Sequence, residues 1–100
     1  MTERPFYVSA PAEAEVAHAI AWYEARRRGL GAAFFTEVRR AFVDIRQNPE
    51  AWPIWRASDP FRKRPLFRFP YVVFFTADAQ ATVIEAVAHG ARRPGYWMER

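Results

Sequence analysis

An α+β domain is predicted for this chain, on three observations. Apolar residues recur at helical spacing over about residues 11–47, and a Gly29–Gly31 break divides that stretch. From Phe61 onward the spacing changes to every second residue. Helices and strands are therefore segregated along the chain rather than alternating, which is the α+β arrangement. One hundred residues correspond to a single domain, residues 1–100. A chain of this size buries roughly 65% of its unfolded surface, enough for one core and little more.

Phe6-Tyr7-Val8-Ser9 is a short strand of aromatic and β-branched residues. A first helix is predicted over about residues 11–28. Pro11 suits its first turn, Glu13 and Glu15 suit its positive end, and Ala12, Val16, Ala19, Ile20 and Tyr23 form its buried stripe. Arg26, Arg27 and Arg28 fall in the last turn, and Gly29 and Gly31 turn the chain. A second helix is predicted over about residues 32–47, with Phe35, Val38, Phe42 and Ile45 as its stripe, Phe34 and Ala41 widening it, and Asn48-Pro49 stopping it. So short a linker makes the two helices antiparallel neighbours.

A Pro- and Trp-rich connection leads to a strand over residues 61–69. Arg62, Arg64, Leu66 and Arg68 share one parity, and Phe61, Lys63, Pro65, Phe67 and Phe69 the other. Pro65 assigns this strand to an edge or a bulge. Residues 71–76 form a continuous apolar strand, 77–80 a hairpin turn, and 82–89 the last strand. The expected architecture is a strand, an antiparallel helical hairpin, then a three-stranded antiparallel meander. The helices should pack on one face of a small curved sheet. With the aromatic parity turned toward the helices, the other face should present Arg62, Arg64, Arg68, Glu85 and His89 together.

Charge follows the same division. Residues 1–50 carry seven basic and seven acidic side chains, so the net charge of +4 lies wholly in the second half. Such a field favours an anionic partner. Fourteen of the fifteen cations are arginine, which suits bidentate contacts to phosphate or carboxylate. There is no cysteine, hence no disulfide, thiolate nucleophile or cysteine zinc site. His18 and His89 are too distant in sequence to suggest a metal site, and no glycine-rich phosphate loop or paired-carboxylate motif appears, so no cofactor is expected. Neither a signal peptide nor an apolar run of the roughly 18 residues that span a bilayer is present; a cytoplasmic protein without membrane association is expected.

His89, at a strand end, reads as an acid/base or phosphate contact, or as a structural histidine bonded to the turn at Gly90. Arg62, Arg64 and Arg68 read as a phosphate or carboxylate clamp, or as charges that keep an edge strand soluble. Arg92 and Arg93 can reach either partner. Tyr96 and Trp97 read as a base-stacking pair or as a tail packed back on the sheet, and the packed tail is favoured.

The ordered set Trp22-Tyr23-Glu24, Gly29-Leu30-Gly31, Phe35, Pro49, the run from Arg64 through Phe69-Pro70-Tyr71-Val72-Val73-Phe74, and His89 through Arg92 to Pro94 resembles the RelE/ParE superfamily. These are toxins of bacterial type II toxin–antitoxin modules, often labelled plasmid-stabilisation proteins. The Phe-Pro-Tyr turn, the His-x-x-Arg-x-Pro stretch and the Trp-Tyr-Glu helix look more like the ParE branch. The resemblance implies the strand–helix–helix–strands order, an antitoxin partner, and growth arrest by binding and poisoning DNA gyrase. In that reading Arg62, Arg64, Arg68, His89, Arg92 and Arg93 contact target or antitoxin, and no residue is catalytic. The RelE branch implies instead an endoribonuclease acting on mRNA at the ribosome, with Arg64, Arg68, His89, Arg92 and Tyr96 as its candidates. A basic nucleic-acid-binding module without toxicity is the third reading.

Overall fold

The structure is a computed structural model and describes residues 4–99. Its elements follow the expected order: β1 (Phe6–Val8), α1 (Ala10–Arg26), α2 (Leu30–Gln47), β2 (Arg62–Pro65), β3 (Tyr71–Ala77) and β4 (Thr82–His89). A 3-10 turn, Pro49–Ala51, follows α2, and a second, Tyr96–Glu99, lies near the C-terminus. The sheet order is β1-β4-β3-β2. β2, β3 and β4 form the antiparallel meander, and β1 adds to β4 in parallel.

Local chemistry fixes the helical hairpin. The Ser9 hydroxyl caps α1 by accepting from the Ala12 N–H at 3.2 Å, with Pro11 inside the first turn. α1 stops at Arg26 because Arg27 is extended. Gly29 then takes φ +88°, a left-handed conformation that glycine adopts without a Cβ penalty. The Glu24 carboxylate accepts from the Gly29 and Gly31 N–H groups at 3.0–3.1 Å and so satisfies donors at the start of α2. A Cβ at Gly31 would lie 2.7 Å from the Ile20 carbonyl oxygen, so glycine permits the helices to close there.

The predicted strand over residues 61–69 is shorter than its sequence pattern. It ends at Pro65, and residues 66–71 form a turn closed by Leu66 N–H to Tyr71 O at 2.9 Å and Tyr71 N–H to Phe69 O at 2.8 Å. Strand parity therefore does not reach Phe67, Arg68 or Phe69. Phe69 is buried among Tyr23, Phe34 and their neighbours, Phe67 is 64% exposed, and Arg68 adopts φ +71°.

Both faces of the sheet are covered. Toward the helices, Val73, Phe75, Ile84 and Val87 pack with residues of both helices. There Tyr23, Phe34, Phe69 and Tyr71 form an aromatic cluster with ring centroids 4.9–6.2 Å apart. On the far face Phe74, Ala86 and Ala88 are covered by Trp97, with Trp55 and Phe61 beside it. The tail packs back on the sheet, as its favoured reading had it.

Two expectations about facing are corrected. Arg62 pairs with Phe75 and Arg64 with Val73, so both arginines face the helices. The apolar parity holding Phe61 turns instead to the far face, where the tail supplies its core. In β4, Phe74 pairs with Ala86 but Phe75 with Ile84, which makes Glu85 an extra residue in a β-bulge. Beyond it the alternation inverts: Ala86 and Ala88 join the far face, while His89, opposite Tyr71, turns to the helix side. The expected common face of Arg62, Arg64, Arg68, Glu85 and His89 is therefore not formed.

Candidate functional site

Arg64 is 2% exposed. Its Nη2 donates to Asp44 Oδ2 of α2 and its Nη1 to the Pro65 carbonyl at 2.7 Å. The guanidinium carbon lies 5.2 Å from the Trp52 ring centroid and 5.3 Å from that of Phe67. An arginine can be buried when its stem is packed and its charge is paired and hydrogen-bonded. Arg64 is thus packed in the core against Asp44 and not presented at the surface. Arg62 is half-buried and donates to the Trp52 carbonyl at 2.7 Å. Arg93 forms a two-pronged pair with Glu99 at 2.7 and 2.9 Å, which fastens the tail. That pair holds the Glu99 carboxyl below the usual carboxylate range.

What reaches the surface gathers at one end of the sheet. The turn of residues 66–70 and the turn after β4 are joined by the Gly90 N–H donating to the Pro70 carbonyl at 2.7 Å. The first turn presents Phe67 and Arg68, both exposed. Arg68 is held in the left-handed region, which costs a non-glycine residue about 1–2 kcal/mol. The second turn presents His89 and Arg92. Nδ1 of His89 accepts from the Ala91 N–H at 3.0 Å, so in the neutral ring Nε2 carries the proton. This is the turn-bonded histidine of the structural reading, with its partner one residue past Gly90. The ring stands edge-on to Tyr71 at 5.0 Å. Arg92 lies over the Tyr96 ring, 4.1 Å from its centroid.

Beside these residues runs a cleft of about 260 Å³ between α1 and β4, bordered by Glu15, His18, Tyr71, His89, Arg92 and Tyr96. Glu15 Oε1 accepts from the Val87 N–H at 2.9 Å, and Oε2 accepts from the Tyr96 hydroxyl at 3.2 Å. One carboxylate thereby ties the helix to β4 and to the tail. Burial, aided by Tyr23, Tyr96 and Glu15, pushes the Tyr71 hydroxyl above its ordinary value and keeps it a neutral donor. Sequence reasoning did not single out Glu15 or Tyr71 for this region. The i, i+3 spacing of Glu15 and His18 puts them on one helix face, but only the tertiary fold brings that face to β4.

A second surface lies on the hairpin itself. Val16, Ile20, Phe35, Val38 and Phe42 line an apolar groove of about 330 Å³, with Arg39 at its rim. Phe35 is 44% exposed there. The helical stripe predicted from Phe35 and Phe42 thus faces this groove rather than closing wholly onto the sheet. Among the described residues no group of three or more metal-ligating side chains occurs, and no helix is long and apolar enough to cross a membrane.

Residues 6–94 match the family described as ParE toxin of type II toxin-antitoxin system, parDE. The fold is similar to a chain in the solved structure of the chromosomal ParDE TA system from P. aeruginosa. The two share 12% sequence identity over 87% of this chain and 96% of that one, with a TM-score of 0.74. No curated protein matches the chain by sequence.

Proposed function

The chain belongs to the ParE toxin family of type II toxin–antitoxin systems, and from that premise we propose that it arrests growth by binding and poisoning DNA gyrase. The contact surface in this reading is the joined pair of turns, with Phe67, Arg68, His89 and Arg92. One observation carries it. Of the nuclease candidates, Arg64 is buried against Asp44, the Tyr96 hydroxyl is bonded to Glu15 and His89 Nδ1 is taken by the turn. Arg68 follows the exposed Phe67 at the surface, and Arg92 is exposed over the Tyr96 ring. Arginines and aromatic side chains are the residue types that dominate binding hot spots.

The cognate antitoxin is the second partner. In our reading it lays the apolar face of a helix into the hairpin groove, as amphipathic helices do in grooves of this composition. Acidic residues of the antitoxin then meet Arg39 at the rim, where pairing weakens with salt.

The test is made in cells. Induction of the chain should stop growth while messages stay intact, and co-expression of the cognate antitoxin should restore growth. His89→Ala should keep most of the toxicity, because a binding surface needs no single proton donor. Arg68→Ala combined with Arg92→Ala should remove most of it. Cleavage of messages on translating ribosomes, lost in a folded His89→Ala variant, would replace this reading with the endoribonuclease. A nuclease deprived of its acid/base slows by about 10²–10⁴-fold.

A further inference from the structure

We infer that the cleft between α1 and β4 receives a single carboxylate, the side chain of an Asp or Glu on a segment of a protein partner. Donors border it from several elements. Tyr71 at the start of β3, His89 at the end of β4 and Arg92 in the turn that follows all line it, with His18 on α1. The Tyr71 hydroxyl, kept neutral by burial, has no acceptor among the described residues. Nδ1 of His89 is taken by the Ala91 N–H, so the Nε2–H is the donor left for a ligand. Arg92 lies over the Tyr96 ring, and no carboxylate among the described residues pairs with it. Stacking occupies the face of the guanidinium and leaves its in-plane N–H groups for an oxyanion. These groups are neighbours. The Tyr71 and His89 ring centroids are 5.0 Å apart, and the Arg92 charge is felt at the Tyr71 hydroxyl, where it opposes the rise that burial causes.

The acceptor side of the cleft is already committed. Glu15 Oε1 accepts from the Val87 N–H and Oε2 from the Tyr96 hydroxyl. Donors therefore outnumber acceptors, and the ligand that matches them is one rich in lone pairs. Glu15 also limits that ligand's charge. Arg92 is the one lysine or arginine among the described residues on the border, and Glu15 stands on the same border. A phosphate dianion would set two charges against that single cation, whereas a carboxylate brings one. The turn offers no backbone donor for a chain terminus. The Gly90 N–H is given to the Pro70 carbonyl, that of Ala91 to His89 Nδ1, and that of Arg92 to the His89 carbonyl. Terminal carboxylates are captured by backbone N–H groups, so side-chain donors suit an Asp or Glu, whose stem can rest on Ala14 and Val87.

That a protein carries this carboxylate rests on the reading of the adjoining turns as a protein-binding surface. The cleft itself is tested without any partner. Full-length protein is titrated by NMR with a blocked glycine peptide carrying one glutamate, and in parallel with its glutamine twin and with inorganic phosphate. The expected result is a saturable shift of the His89 and Tyr71 ring signals, with the glutamate peptide binding at least about tenfold tighter than either other probe. Tyr71→Phe removes only the hydroxyl and should weaken binding about tenfold, the effect of one hydrogen bond to a charged group. Arg92→Gln should weaken it at least as much, and it decides the matter should Tyr71→Phe lose its native circular dichroism. Arg39→Gln, at the rim of the hairpin groove, removes the same charge elsewhere and should stay within about twofold at roughly 0.1 M salt. No saturable shift, equal binding of the glutamine twin, phosphate binding as tight as the peptide, or unchanged affinity in folded Arg92→Gln would overturn the inference. Gyrase capture is measured on the same wild-type protein. Capture without glutamate binding removes the carboxylate site alone, and glutamate binding without capture removes the target reading alone.

Discussion

Arg64 is charged and 2% exposed, so its guanidinium must be compensated inside the protein. Asp44 is its one acidic partner among the described residues, and that carboxylate is itself 38% exposed. The pair is therefore asymmetric. Asp44→Ala strands a buried cation and should cost about 3 kcal/mol, read as a lower urea midpoint. Arg64→Met removes the charge but keeps the stem, and Asp44 can rehydrate, so the loss should stay under about 1.5 kcal/mol. Because Arg64 is buried, the folded Arg64→Met protein should remain toxic; its inactivity would return Arg64 to the contact surface. Arg68 is the opposite case. Glycine relieves its left-handed φ, so Arg68→Gly should leave thermal stability unchanged or raise it by about 1 kcal/mol, while weakening growth arrest. The two arginines share a strand parity in the sequence, which is why parity alone gave them the same fate. Burial was decided by Asp44, twenty residues earlier, and exposure by a turn that ends the strand at Pro65.

The helices and their limits were legible because each has a chemical signal: Ser9 and Pro11 at one start, Gly29 at the break, Asn48-Pro49 at the stop. The bulge at Glu85 had none. Nothing in its sequence, Thr-Val-Ile-Glu-Ala-Val-Ala-His, marks where the register shifts. Its extra residue reorients His89 and leaves the Val87 N–H to Glu15 instead of to a strand. Glu15→Ala should therefore raise hydrogen exchange at the Val87 amide and loosen Tyr96, while amides of the β2–β3 pair stay protected. Equal protection in the variant would mean that the bulge holds itself. The β3–β4 turn carries a pH signature. The Asp78 carboxylate accepts from the Gln80 and Ala81 N–H groups at 2.8 and 3.0 Å, and those bonds hold its carboxyl below its ordinary value of 3.8. A depressed carboxyl stabilises the fold above its unfolded value, and that contribution disappears as pH falls through the folded one. The stability gap between wild type and Asp78→Ala should accordingly narrow below about pH 4 in acid titration of the unfolding midpoint.

Across the whole molecule, the order of elements followed from periodicity, yet the position of the charge did not. The net +4 was legible as a bias toward the second half, but charge counts do not say which cations are neutralised. Arg4, Arg40, Arg56, Arg64 and Arg93 each face a carboxylate, and most of those partners are distant in sequence or on another element. The far sheet face was misread for a related reason. The parity that holds Phe61, and not that of Arg62 and Arg64, lies on it, and a tail of four residues closes that apolar face into a second core through Trp97. What remains outside is the end of the sheet where two joined turns present Phe67, Arg68, His89 and Arg92, and the account stands on that end acting as a binding surface for gyrase. The most direct measurement is cleavage of supercoiled plasmid by purified gyrase, with the wild-type chain and the Arg68→Ala, Arg92→Ala double variant added in turn. The account predicts gyrase-dependent cleaved DNA with the wild type, and at least tenfold less with the folded double variant. No cleaved DNA with active wild-type toxin, or equal cleavage by the double variant, would contradict it.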